Sequence, residues 1–313
     1  PAAACAAVSS RCTARSPPAS ALATKAFQAE SLVLGTALVA GACSEAARRA
    51  RSASVHRTAI LGKNVEVGPN TIIGEHVVIG DNTIIEGHCF LEKWTQIGDD
   101  CHIHFGSIIG SAAQDISYKG EKSWVVIGDR NQIREYVTIN RATGKDTVTK
   151  IGDDNLLLTS VHIAHNCQLG NNIIIANSTN LAGHAVIEDR VTIGGMTGVH
   201  QFARIGYGAM VGAYTCLPQD VPPFMLCEGN PAEIHGVNLI GMRRSKIEKT
   251  AINEVKDIYK HIYRSEYNMT QAITLIKKQK VQSKEAKQTI AFILANSKRG
   301  ITKKVKEAPI KDA

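Results

Sequence analysis

Aromatic side chains are scarce. Phe, Trp and Tyr make up 5% of the 313 residues, and only two are tryptophan. That excludes a core of helices packed on rings and favours one of stacked aliphatics, since the chain is still 44% hydrophobic. CxxC spacing is absent. The eight cysteines (Cys5, Cys12, Cys43, Cys89, Cys101, Cys167, Cys216 and Cys227) stand singly, which excludes a zinc ribbon or a thioredoxin-type redox pair. They read as free thiols in a reducing compartment. Acidic residues are missing before Glu30. The apolar stretch "SLVLGTALVAGAC" (31–43) is too short to span a bilayer as a helix, so no transmembrane segment is expected. The formal net charge is +8, concentrated toward both ends. No nucleic-acid motif accompanies it, so an acidic protein or a phosphorylated small molecule is the better-matched partner.

Residues 1–50 are rich in Ala, Ser and Arg, the composition of an organellar transit peptide for a chloroplast, other plastid or mitochondrion. Within them, 31–43 is either the apolar part of a second signal or a short helix. This segment is set apart from the fold.

From Val55 an aliphatic recurs at every sixth residue: Leu61, Val67, Ile73, Ile79, Ile85, Leu91, Ile97, Ile103 and Ile109. The series resumes in phase at Ile127, Ile133 and Ile139, and again from Ile151 to Leu217. Gly often follows the aliphatic, as at Gly62, Gly80 and Gly98. Four residues after it comes a small or β-branched side chain such as Val65, Thr71 or Cys89. No α-helix has this period, and a simple strand repeats every two residues. A hexad repeat is the signature of a parallel β-helix. Three hexads make an eighteen-residue triangular coil whose inward aliphatics are buried only when coils stack. The glycines are expected to supply turns with positive φ.

Residues 111–126 and 140–150 break the pattern and keep its phase, so they are loops extruded from a rigid scaffold, where binding residues gather. Prolines at 218, 222, 223 and 231 end the solenoid. Beyond it, Ile247, Ile252, Val255, Ile258 and Ile262 recur at helical spacing, with two further helical segments after them. The expected division is a targeting segment at 1–50, a β-helix at 51–238, a helical domain at 239–300 and a tail at 301–313.

"SVHIAHNCQLGN" (160–171) holds two histidines three apart. Eighteen residues beyond His165 stands Gly183, beside His184. Eighteen beyond His184 stands Phe202, two residues after His200. His165, His184 and His200 therefore share one edge of three successive coils, with Gly183 and Gln201 on it and His162 one corner away. Three readings fit: polar residues on a solenoid rim, a histidine metal site, or a general base for acyl transfer with a backbone N–H holding the oxyanion. The metal pattern of the gamma-class carbonic anhydrases pairs two histidines four apart two coils on. Position 205 is Ile, so that pattern fails.

"IGDRNQIREYVTINR", "HIAHNCQLGN", "NLAGH", "IGGMTGVHQF", "QDVPP" and "GNPAEIHGVNLIGMRR" together resemble the UDP-N-acetylglucosamine O-acyltransferases over about 54–300. The resemblance implies a left-handed parallel β-helix with a C-terminal α-helical domain, assembled as a homotrimer with sites between subunits. It implies transfer of a 3-hydroxyacyl group from acyl carrier protein to the 3-hydroxyl of UDP-N-acetylglucosamine, the first step of lipid A synthesis. No metal or bound cofactor is implied. By the same resemblance His165 is the general base and Gly183 the oxyanion donor. Asp115, His162, His184, His200 and Gln201 meet the sugar and the rest of the pocket. Asn238 and Arg244 lie near the nucleotide, and Ala213 sets acyl length, giving a chain intermediate between those admitted by glycine and by bulkier residues. The basic run Arg243, Arg244, Lys246 and Lys249 suits an acidic carrier protein. Four positions depart from the family: Asn166 stands for the usual Asp beside the base, Ser117 for a Lys, Pro231 for a pocket His and Ile240 for an acid. The alternative they favour is a catalytically weakened trimeric scaffold within an organellar complex.

Overall fold

The computed structural model describes residues 47–302. Its hexads form strands mostly two residues long, in sheets of eleven, nine and eight strands. Each strand pairs in parallel with the strand one coil on, as in Ile60↔Val78, Glu66↔Ile84 and Ile72↔Phe90. Consecutive strands pass to consecutive sheets, so the sheets are the three faces of a left-handed parallel β-helix. The sixth-residue aliphatics point inward: Ile73, Ile79, Ile85 and Leu91 are each at most 1% exposed. Burial of each contributes about 1.5–3 kcal/mol. The small positions also point inward, and most of their polar atoms find a backbone partner, the buried Thr95 hydroxyl being an exception. Thr71 Oγ1 donates to Glu86 O at 2.6 Å and Thr83 Oγ1 to Gly98 O at 2.9 Å. Burial pushes the Cys101 thiol up to about 11 and those of Cys167 and Cys227 to about 12, so they act as small core residues rather than nucleophiles.

The glycines play a different part from the one expected. The residues with positive φ lie two positions later: Asn64, Asn70, His76, Asn82 and onward, nearly all non-glycine. Gly62 and its equivalents are needed because adjacent coils approach closely there. A Cβ on Gly62 would stand 2.7 Å from Asp81 N, and one on Gly152 would stand 2.5 Å from Gly170 O. That approach lets one side chain per coil cap the coil before it. Asp81 Oδ1 accepts Lys63 N–H, Asp99 Oδ1 accepts Asp81 N–H, and Asp129 Oδ1 accepts Asp99 N–H, all at 2.8–2.9 Å.

The extruded loops are shorter than the broken pattern indicates, because strands Trp124–Ile127 and Val148–Ile151 extend into it. Ile97 pairs with Ile127 and Ile127 with Ile151. The insertions are whole hexads, so the inward face never changes.

A hairpin of Met225–Glu228 with Glu233–Val237 closes the eleven-stranded sheet. Helices follow at Leu239–Arg244, Lys249–Tyr263, Met269–Lys278 and Lys284–Leu294. Lys249–Tyr263 buries Ile252, Val255, Ile258 and Ile262, one stripe at helical spacing. Among the described residues the first strand is Arg48–Arg49, and Arg48 pairs with Glu66. At the other end Ile301 bridges to Asp220, and Thr302 is fully buried. No helix among the described residues is long and apolar enough to cross a membrane. Most of the segment assigned to targeting, 31–43 included, lies outside the described residues, as do Cys5, Cys12, Cys43 and the tail from 303.

Candidate active site

His165 follows strand His162–Ile163 and is 4% exposed. Asn166 next to it adopts the left-handed turn, with φ of 58°. Its Oδ1 lies 2.9 Å from His165 Nδ1. Thr143, in the second extruded loop, fixes the amide: its N–H donates to Oδ1 at 3.0 Å and its carbonyl accepts from Nδ2 at 3.1 Å. A backbone N–H only donates and a carbonyl only accepts, so the amide has one orientation. Oδ1 is then an acceptor toward the ring, and His165 Nδ1 carries the proton. In the neutral ring the lone pair is then on Nε2, at the cavity side.

Gly183 backs that nitrogen. A Cβ there would fall 2.5 Å from His165 Cε1 and closer still to Nε2. The Gly183 N–H has no acceptor among the described residues. Both residues line a cavity of about 640 Å³ with Asp115, His162, His200 and Gln201. One wall is a column on the nine-stranded sheet: His162, Asn180, Gly198 and Cys216, in register coil by coil. Cys216, Asn180 and Pro218 were not foreseen as lining residues, although the eighteen-residue count from His162 leads to the first two.

Asp115 enters from the first extruded loop, with Oδ2 3.3 Å from His165 Nε2. Ser117 orients it: its Oγ and N–H both donate to Asp115 Oδ1, at 2.6 and 2.7 Å. Those bonds hold the Asp115 carboxyl below its ordinary range, with His165 and His184 adding to the effect. A carboxylate therefore faces the imidazole where it gains a proton. The two loops are tied together by Glu121, whose Oε1 accepts Gly144 N–H at 2.7 Å and whose Oε2 accepts Lys119 N–H at 2.8 Å. These backbone bonds, Gly144 foremost, bring Glu121 down to about 2. Arg141 anchors the base of the loops, donating to Glu92 Oε2 at 2.9 Å and to Tyr118 Oη at 2.8 Å.

The His184 ring meets His165 edge-on, 5.3 Å between centroids. Burial is the main push on His184 toward its neutral form, followed by His165 and Lys298, with Asp115 opposing. Burial likewise lowers His162, whose Nδ1 lies 2.8 Å from Thr138 Oγ1. Four sequence candidates are outside the cavity lining within one chain: His184, which lies behind His165, and Asn238, Arg244 and Ala213. Asn238 caps helix Leu239–Arg244 through Gly241 N–H and donates to Gly208 O. Arg244 ends that helix, and Ala213 sits on an exposed turn. Pro231 and Ile240 are also outside the cavity lining.

The cavity histidines do not form a metal-ligand group. Among the described residues one such group gathers within 4.8 Å, Glu86 with His102 and His104, none of them lining the cavity. The two rings there are stacked, 3.9 Å between centroids and 23° between planes. A nitrogen of each ring meets the same carboxylate oxygen, His102 Nε2 at 2.9 Å and His104 Nδ1 at 3.1 Å from Glu86 Oε1.

Residues 220–302 match the family model described as UDP N-acetylglucosamine O-acyltransferase, domain 2, and 58–93 and 76–111 match that of bacterial transferase hexapeptides. An acyl-[acyl-carrier-protein]–UDP-N-acetylglucosamine O-acyltransferase of Gloeothece citriformis is 49% identical over 183 residues, covering 58% of this chain and 66% of that protein. This chain thus spans just under two thirds of the cyanobacterial relative. The enzyme of the same name from Aliarcobacter butzleri is 41% identical over 80% of this chain and 96% of its own length. Among solved structures, LpxA of Acinetobacter baumannii superposes with a TM-score of 0.79 at 37% identity, over 82% of this chain and 99% of that one.

Proposed function

The chain belongs to the acyl-[acyl-carrier-protein]–UDP-N-acetylglucosamine O-acyltransferase family, and from that premise we propose that it moves a 3-hydroxyacyl group from acyl carrier protein to the 3-hydroxyl of UDP-N-acetylglucosamine, the first step of a lipid A-type synthesis. The observation that carries this reading is the fixed tautomer of His165, with its basic Nε2 at the cavity and pressed against Gly183. His165 Nε2 takes the proton of the sugar hydroxyl as its oxygen bonds to the thioester carbon. The carbonyl oxygen becomes an oxyanion, and the unpaired Gly183 N–H is the donor for it. Collapse breaks the C–S bond, and the leaving thiolate takes the proton back from the imidazolium. Atoms and charge balance without a metal or redox partner.

Asn166 cannot offset the imidazolium charge as a carboxylate would. Asp115 stands at the opposite nitrogen and does so from there. Asn166→Asp, which keeps an oxygen on Nδ1–H, should retain turnover. Asn166→Ala should lower kcat about tenfold through loss of the orienting bond. Ser117→Ala frees Asp115 and should lower kcat/KM about fivefold. Steady-state kinetics on the three variants checks all three expectations.

His162, His200 and Gln201, which line the cavity, position the sugar, and His184 supports His165 edge-on from outside the lining. Asn238, Arg244 and Ala213 complete the site from an adjacent subunit of a homotrimer, where Ala213 limits acyl length. Their distance from the cavity of their own chain supports this, as does a line of exposed apolar turn residues: Tyr136 at 55%, Met196 at 57% and Tyr214 at 72%. The acid-free start of the chain supports import into a plastid or mitochondrion.

The test is acyl transfer to UDP-N-acetylglucosamine from a chain-length series of 3-hydroxyacyl carrier proteins. Product formation with a preferred length supports the reading and the role of Ala213. An intact oligomer that makes no product with any donor would leave the scaffold reading in its place.

A further inference from the structure

After helix Lys284–Leu294 the chain returns to the end of the β-helix and is bonded to it. Asp220 N–H donates to Gly300 O, and Thr302 N–H donates to Asp220 O, both at 2.8 Å. Arg299 Nε donates to Pro218 O at 2.8 Å, and Gln219 Nε2 donates to Arg299 O at 3.3 Å. Ser297 Oγ accepts the N–H groups of Arg299 and Gly300, which shapes the segment from within. Its anchor is buried: Asp220 is fully enclosed and accepts from Arg204 Nε at 2.7 Å. Residues 297–302 are therefore a strap with a defined path, and Pro218 beneath it is part of the cavity wall.

Lys298 leaves this strap and places its ammonium 3.9 Å from the centre of the Phe202 ring. Phe202 stacks on His184, 4.7 Å between centroids and 22° between planes. His184 in turn stands edge-on to His165 at 89°. Asn166, His184 and Phe202 are one column of left-handed turn residues, one per coil. Lys298 occupies the end of that column, where the solenoid supplies no further turn residue.

We propose that Lys298 is a positioning residue for the histidine pair: the C-terminal strap delivers its ammonium onto the Phe202–His184 stack and so holds the His184 ring edge-on to His165. The inference rests on the reading of His165 as the base. It also has an electrostatic side. The charged or titratable groups acting on His184 are His165, Lys298 and Asp115. Lys298 favours uncharged His184, and an uncharged neighbour is what His165 needs as it becomes imidazolium, because a second cation beside it would oppose proton uptake.

The test uses the full chain with 13C-labelled histidine, following each imidazole by NMR as pH varies, with His184 assigned by difference from His184→Gln. In Lys298→Met the His184 midpoint should rise by roughly half a pH unit, about a threefold change in protonated fraction. The kcat for acyl transfer should fall about threefold by the same conversion, with KM unchanged. Lys298→Arg keeps a cation that lies flat on an aromatic ring and should restore both. An unmoved His184 titration in Lys298→Met overturns the proposal, as does Lys298→Arg behaving like Lys298→Met. The titration needs no turnover, so a failure of this inference is told apart from a failure of the acyltransferase reading.

Discussion

His165→Ala should lower kcat for acyl transfer by about 10²–10⁴-fold, the usual contribution of a positioned general base. The imidazole is the group whose lone pair the Asn166–Thr143 pairing directs to the cavity. Nothing nearby replaces it. Asp115 is held ionised but is a far weaker base than imidazole. His184 is edge-on to His165 and is absent from the cavity lining. The fold should be unaffected, because the inward aliphatics that carry it are elsewhere and His165 projects into the cavity. Thermal unfolding and oligomeric state measured beside the kinetics check this. Turnover within threefold of the parent would remove His165 from the role of base.

Gly183→Ala should cost almost as much while changing the chemistry of no side chain. The φ of Gly183 is not in the left-handed region, so alanine meets no backbone strain there. What it meets is the imidazole. The new methyl would overlap His165 Cε1 and Nε2, and ordinary contact is restored only if the ring retreats by about 1 Å, a displacement that can cost ~10²-fold. The expected signature is a drop in kcat with near-parental affinity for UDP-N-acetylglucosamine, read by titration calorimetry. Equal losses in both would mean that Gly183 shapes the pocket rather than the transition state.

The β-helix was legible in the sequence because stacking makes burial periodic: one aliphatic and one small residue per hexad must face inward, and both appear as a count. The same count brings His165, Gly183, His184 and Phe202 together from the sequence alone. It failed where contacts leave the period. Thr143, which fixes the orientation of Asn166, and Glu121, which ties the two loops, lie in extruded segments with no register to stack from. Lys298 reaches Phe202 from the far end of the chain, through a strap bonded largely to backbone groups of residues 218–220, a contact with no period to count from. The glycines depart from the expected role for a related reason. Their regular spacing is visible in the letters, but the constraint behind it is the neighbouring coil, which the letters do not show. The departures Asn166 and Ser117 looked like losses of charge. In place, one orients the base and the other holds Asp115.

The left-handed turn is the feature with the widest reach. In most enzymes a non-glycine residue with positive φ beside the reacting atoms marks strain stored at one spot. Here Asn166 at 58° and His184 at 59° share their conformation with Asn64, Asn82, Asn172 and Arg190, which have no part in the site. The backbone under the chemistry is therefore ordinary for this rod, and what singles out one coil is only the side chains at its corner and the loops that lean over it. Such a site is portable. The same corner geometry recurs above and below, so the set His-Asn, Gly-His and His-Gln, written one coil higher or lower with a loop to match, would find the same backbone waiting for it.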